Sequence, residues 1–76
     1  MYEKYFTNFY QAIDRMMDNY KKGDLNRNRT NYGAATAYAM VLRDMGHEVE
    51  INAYGDGDYL ITDRITIDGK GYDFFH

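Results

Sequence analysis

The spacing of apolar residues changes at Gly46, and that change limits the folds open to this chain more than any other feature. Before it, apolar side chains recur every three or four residues, the period that draws one stripe along a helix; after it they recur every second residue, the period of a strand face. From Tyr2 to Tyr20 the stripe runs through Tyr5, Phe6, Phe9, Tyr10, Ile13, Met16 and Met17. Lys21 and Lys22 suit a helix C-terminus and Gly23 its cap, so the spacing predicts a helix over residues 3–22. Residues 23–31 are rich in asparagine, with Leu25 as their one large apolar side chain, and read as a loop. Thr30 or Asn31 is expected to cap a second, alanine-rich helix buried through Ala34, Tyr38, Val41 and Met45 and ended by Gly46. Its short side chains allow close approach to a neighbour, so it is expected to be the most buried element.

In the second half, Val49, Ile51 and Ala53 alternate with Glu48, Glu50 and Asn52, as on a half-buried strand. Gly55-Asp56-Gly57 reads as a turn into a second strand, where Tyr59, Ile61, Ile65 and Ile67 are expected to share one face. Asp63 breaks that alternation and marks a bulge or an edge. Asp68-Gly69 is the dipeptide of a type I′ hairpin, returning the chain through Gly71-Tyr72-Asp73-Phe74-Phe75. Two helices followed by three strands bury their apolar faces most simply in two layers. The expected fold is therefore a single α+β domain spanning residues 1–76, with both N-terminal helices on one face of a three-stranded antiparallel meander. The sheet's other face meets water.

With 76 residues the chain can build only one core, and a domain of this size buries roughly 60% of the surface its unfolded chain exposes. Extra burial in a homodimer or a tight complex would help it. The absence of cysteine removes disulfides and thiolate metal cages and points to a reducing cytoplasm. An amphipathic start and the lack of a long apolar run make export and membrane spanning unexpected.

Catalysis has little to work with. There is no serine or cysteine for a nucleophile, and the only histidines, His47 and His76, follow a helix cap and end the chain. Asp56-Gly57-Asp58 with Asp63 matches a calcium loop poorly, because the closing glutamate is missing. The glycines join strand to strand, whereas a phosphate cradle opens a helix. No enzyme activity, metal or cofactor is expected.

Charge is more informative. Residues 1–31 carry six basic against four acidic side chains, whereas residues 32–76 carry three basic against eight acidic. An acidic half repels phosphate and attracts basic proteins, so direct nucleic-acid binding is not expected; Arg27 and Arg29 alone are too few to drive it. Tyrosine, present nine times, is the overused residue. Tyr5, Tyr20 and Tyr38 fall on helical stripes and read as core. Tyr54, Tyr59 and Tyr72 fall on or beside strands among Asp56, Asp58, Asp63 and Asp73. These seven residues are the expected partner-binding set, the phenol rings for contact and the carboxylates for steering towards a basic surface.

Two resemblances accompany this reading. Residues 31–75, with their alanine-rich helix and the phrase Ile67-Asp68-Gly69-Lys70-Gly71-Tyr72-Asp73, resemble the core of papain-like and transglutaminase-like folds. The nucleophile position reads Asn31-Tyr32-Gly33 and the histidine strand Asp58-Tyr59-Leu60, so the resemblance implies a shape without the activity. In size, acidity and lack of cysteine the whole chain is similar to small phage-encoded anti-defence inhibitors, anti-CRISPR proteins among them. That similarity implies a phage protein acting in the host cytoplasm as an inhibitor that covers the basic nucleic-acid channel of a CRISPR effector or similar enzyme. The competing expectation is a structural subunit that assembles with itself through the open sheet face.

Overall fold

Residues 3–74 are described by the computed structural model. The stripe from Tyr5 to Tyr20 folds as helix α1, Glu3–Lys22, burying Phe9, Ala12, Ile13, Met16, Met17 and Asn19. Full burial of Phe9, Ile13 and Met16 contributes about 1.5–3 kcal/mol each. Tyr2 lies outside the described residues, and Tyr10 ends up 42% exposed at the stripe's margin.

The helix stops where Gly23 adopts φ +74°, a conformation that glycine enters without a Cβ clash. Gly23 N–H donates to the Tyr20 carbonyl and Asp24 N–H to that of Asn19, the paired bonds of a Schellman cap. Asp24 starts the next helix at once, its carboxylate accepting from Arg27 N–H at 3.1 Å. Helix α2 therefore runs Leu25–Asp44, and the expected nine-residue loop is a two-residue link.

Two of the asparagines that made residues 23–31 look irregular, Asn28 and Asn31, are tertiary hydrogen-bonding groups. Asn28 is fully buried, and Asn31 Nδ2 donates to Asn19 Oδ1 on α1 and to the Arg27 carbonyl. Bonds of this kind between helices override a modest deficit in helix propensity.

The buried stripe of α2 lies one residue on from the expected one. It is Asn28, Ala35, Ala39 and Leu42, while Val41 and Met45 are 37% and 44% exposed. This register sets Asn28 and two small alanines on one line towards the core, and α1 buries more side chains than α2. A second Schellman pair, Gly46 N–H to Arg43 and His47 N–H to Leu42, ends the helix.

Strands β1 (Val49–Asp56), β2 (Tyr59–Ile67) and β3 (Lys70–Asp73) form an antiparallel sheet in the order β1-β2-β3. The first turn sits one step later than expected, at Gly57-Asp58, because Asp56 still pairs with Tyr59. Asp68 and Gly69 have φ of +52° and +84°, as a type I′ hairpin requires. Phe74 follows β3 and is buried, while Phe75 lies outside the described residues.

Between Ile51↔Ile65 and Ala53↔Thr62 the register slips, so Asp63 and Arg64 together oppose Asn52. This is the bulge that Asp63 announced, and it reverses the strand's phase. Directly paired residues share a face. Ile65 and Ile67, opposite Ile51 and Val49, are therefore out of phase with Tyr59 and Ile61, opposite Asp56 and Tyr54. The bulge interrupts the expected common face in register, yet Ile61 and Ile65 both reach the core, Ile67 packs against it, and Tyr59 meets Tyr20 of α1.

The two helices pack on one side of the sheet, with Ile65 and Val49 in the core. Near the first hairpin they also close the edge of β2 that β3 leaves unpaired. Leu60 N–H donates to Asn28 Oδ1 and its carbonyl accepts from Asn28 Nδ2, each at 2.8 Å. Thr62 N–H points to Met17 Sδ at 3.4 Å. One asparagine thus pairs both backbone groups of an edge residue as a neighbouring strand would, and with helices against the edge Ile61 is also buried. Among the described residues, no helix is long and apolar enough to cross a membrane.

Candidate functional site

The bulge builds the outer face of the sheet. Thr62 Oγ1 lies 2.7 Å from the Asn52 carbonyl and 2.9 Å from that of Arg64, and fixes the extra residue in place. Asn52, Tyr54, Asp63, Arg64 and Asp73 line a shallow hollow of about 530 Å³ there. Arg64 lies over Gly71, where any Cβ would collide with its guanidinium, and its Nε is 3.8 Å from Asp73 Oδ1. Tyr54 is 46% exposed. Three of the seven expected partner-binding residues, Tyr54, Asp63 and Asp73, therefore share one hollow.

Three more sit at the adjoining hairpin tip. Tyr20, at the end of α1, donates its hydroxyl to Asp56 and meets Tyr59 edge-to-face, with ring centroids 5.5 Å apart. The bond to Asp56 raises the Tyr20 phenol above its ordinary value of 10.0; removal from water, the charge of Asp56 and that of Tyr54 add to the effect in that order. Asp58 turns the chain, its carbonyl accepting from Arg29 Nε at 3.0 Å. Arg27 is occupied with Asp24, at 3.6 Å. Both arginines thus serve the fold's own contacts, and Asp58 and Tyr59 are anchored from beneath.

Tyr72 is set apart. It pairs with Ile65, which is buried on the helix side, so its ring faces the helices, 6.2 Å from the ring of Tyr10. The Lys70 ammonium stands 5.4 Å above the Tyr72 ring. With Phe6, Tyr10, Ile67 and Asp68 these residues line a separate cleft of about 800 Å³ between α1 and the β2–β3 hairpin. The seven expected residues accordingly divide into five along the outer face and tip, Tyr54, Asp56, Asp58, Asp63 and Asp73, and two whose rings meet α1, Tyr59 at Tyr20 and Tyr72 at Tyr10.

A polar pair that the sequence did not announce joins the start of β1 to the β2–β3 turn. His47 Nδ1 lies 2.7 Å from Asp68 Oδ2, and Glu48 N–H donates to Asp68 Oδ1 at 2.9 Å. The His47 ring also packs edge-on against Phe6, 4.8 Å between centroids. The hydrogen bond from His47, then that from Glu48, holds the Asp68 carboxyl below its ordinary 3.8. An aspartate beside one ring nitrogen of a histidine fixes that ring's tautomer and orientation. Among the described residues, no three His, Asp or Glu side chains converge as metal ligands.

The stabilising effect of Asp68 has a defined pH sign. A depressed carboxyl pKa contributes stability above the unfolded value, and loses it as pH falls through the folded value. Asp68→Asn, which tolerates the same left-handed backbone, should be less stable than the native chain at neutral pH. The gap should close as pH drops below 3.8. Thermal melts of both proteins across that range test it, and a gap independent of pH would contradict the pairing.

No protein-family model, curated protein or solved structure matches this chain. Asn31 stands in the second turn of α2, not at its start, so the correspondence of Asn31-Tyr32-Gly33 to a catalytic helix start does not hold.

Proposed function

We infer that the domain is a small acidic protein-binding module, without catalysis of its own, which docks the outer face of its sheet on a basic protein surface. The observation that carries this reading is the distribution of exposed charge. Glu50, Asp56, Asp58, Asp63 and Asp73 are exposed along the outer face and hairpin tip around the exposed Tyr54, and Arg64 is the one cation lining the hollow among them. Such a surface steers towards positive potential and away from phosphate, while a ring at its centre provides area to desolvate. Tyr54, Asp56, Asp58, Asp63 and Asp73 form the contact set; Tyr72 leaves it because its ring faces the helices, and Tyr59 because its ring packs against Tyr20 at the end of α1. Inhibition of a nucleic-acid enzyme by covering its basic channel, as the similarity to anti-CRISPR proteins implies, is the specific form of this chemistry that we propose. Assembly with a copy of itself through the same face has less to recommend it, since Glu50, Asn52, Asp63, Arg64 and Asp73 offer little apolar area.

The test begins with a partner captured from the native cell, whose association with the chain is then timed at several salt concentrations. Steering predicts an on-rate that falls about tenfold or more between 50 and 500 mM salt. Asp58→Lys with Asp63→Lys should slow association by a similar factor and leave the fold intact, since both side chains are exposed. Asp56 is spared because it accepts the Tyr20 hydrogen bond. An on-rate indifferent to salt and to both reversals would refute the reading.

A further inference from the structure

Helix α2 has a second face. Arg29, Gly33, Ala37, Met40, Val41 and Asp44 recur every three or four residues and are all exposed, on the side opposite buried Asn28, Ala35, Ala39 and Leu42. Met40 is 61% exposed, the most of any large apolar residue in the described chain. Gly33 lies inside the helix, and a Cβ built there would meet nothing within 4 Å. Its φ is not positive, so neither backbone geometry nor packing within one molecule calls for glycine at a position where alanine favours the helix. A bare backbone beside an exposed methionine is a hole beside a knob.

The charges say what fills the hole. Arg29, whose Nε also donates to the Asp58 carbonyl of its own chain, and Asp44 stand at opposite ends of this face, and their midpoint lies between residues 36 and 37. Gly33 and Met40 share that midpoint. A single two-fold rotation there sets Arg29 against Asp44 of a second copy and Met40 against Gly33 of a second copy, and repeats both contacts by symmetry. No other orientation of two such helices matches charge and shape together: a parallel pair would set like charges side by side.

We propose that this face of α2 is the interface of a homodimer, formed by antiparallel packing of the two α2 helices with Met40 of each over Gly33 of the other. Glycine and alanine at the crossing let the helix axes approach closely. The arrangement uses the helix layer and leaves the acidic outer face of each sheet open, so the dimer displays two such faces and gains avidity for a partner with repeated basic sites. The inference does not depend on what those faces bind.

Sedimentation equilibrium of the full chain from about 5 to 200 µM tests it, a range suited to a small, weak interface. The average mass is expected to rise with concentration from 9.0 kDa towards twice that value. Met40→Glu should hold the chain at the monomer mass, with an unchanged circular dichroism spectrum. Gly33→Ala should raise the melting temperature of the dilute monomer while weakening self-association about tenfold, a combination that a purely structural role for Gly33 does not give. Asp44→Arg should weaken the dimer, and adding Arg29→Asp to it should restore association. A chain that stays monomeric throughout, a dimer indifferent to Met40→Glu, or a charge swap that fails to restore pairing would each overturn the proposal.

Discussion

Asn28→Asp should leave this domain largely unfolded in dilute buffer, and Asn28→Ala should cost it about 3 kcal/mol. The native amide donates from Nδ2 to the carbonyls of Met16 and Leu60 and accepts the Leu60 N–H at Oδ1, with no exposure to water. Alanine strands a buried N–H and removes a donor from two buried carbonyls. Aspartate keeps the acceptor but turns a carboxylate oxygen towards two carbonyl oxygens, or forces the group to stay protonated, and so adds several kcal/mol more. A chain of this length has a total stability of about 4–11 kcal/mol, so the second loss takes most of it. Urea titrations followed by circular dichroism should rank native, alanine and aspartate in that order. A midpoint for Asn28→Ala within error of the native one would mean that the helices do not seal the edge of β2 through this side chain.

That asparagine also shows what the sequence could and could not convey. Helix α1 was legible to the residue, because one unbroken stripe fixes both its existence and its buried side. Helix α2 was legible only after Asn31. Propensity marks an asparagine-rich stretch as loop, yet Asn28 and Asn31 owe their place to partners on β2 and α1 that no local window contains. The buried stripe of α2 was ambiguous for a related reason. Apolar residues fall on two sides of that helix, and only contact with α1 and β2 decides which side is core.

The candidate surface was partly legible on the same terms. Tyr54, Asp63 and Asp73 meet in one hollow because each looks away from the helices. Tyr59 and Tyr72 were grouped by their neighbours in sequence, but the bulge at Asp63-Arg64 lies between them in the sheet, and their rings meet helix α1 at different places, Tyr59 at Tyr20 and Tyr72 at Tyr10. Asp63 signalled an interruption of alternation. Its consequence, a reversal of phase, depends on how many residues the partner strand offers opposite it, and that is a property of the pairing alone.

The bulge itself rests on Thr62, and Thr62→Val should destabilise the domain by about 2 kcal/mol while disturbing the outer face. The hydroxyl's one proton is shared between the carbonyls of Asn52 and Arg64, and its oxygen faces Arg64 N–H at 3.3 Å. These are groups that the slipped register removes from the ladder, and Thr62 is fully buried, so no water replaces it. Valine has the same shape and no polar atom, which isolates the hydroxyl from the packing. Serine keeps the hydroxyl and loses one methyl, at about 0.8 kcal/mol. Stability should therefore fall in the order threonine, serine, valine, and amide exchange at Arg64 should accelerate in valine more than in serine. Since Asp63, Arg64 and Asp73 keep their positions only while the bulge does, partner binding should weaken in the same order. A valine variant as stable as serine would show that the bulge is set by strand packing, with the hydroxyl incidental.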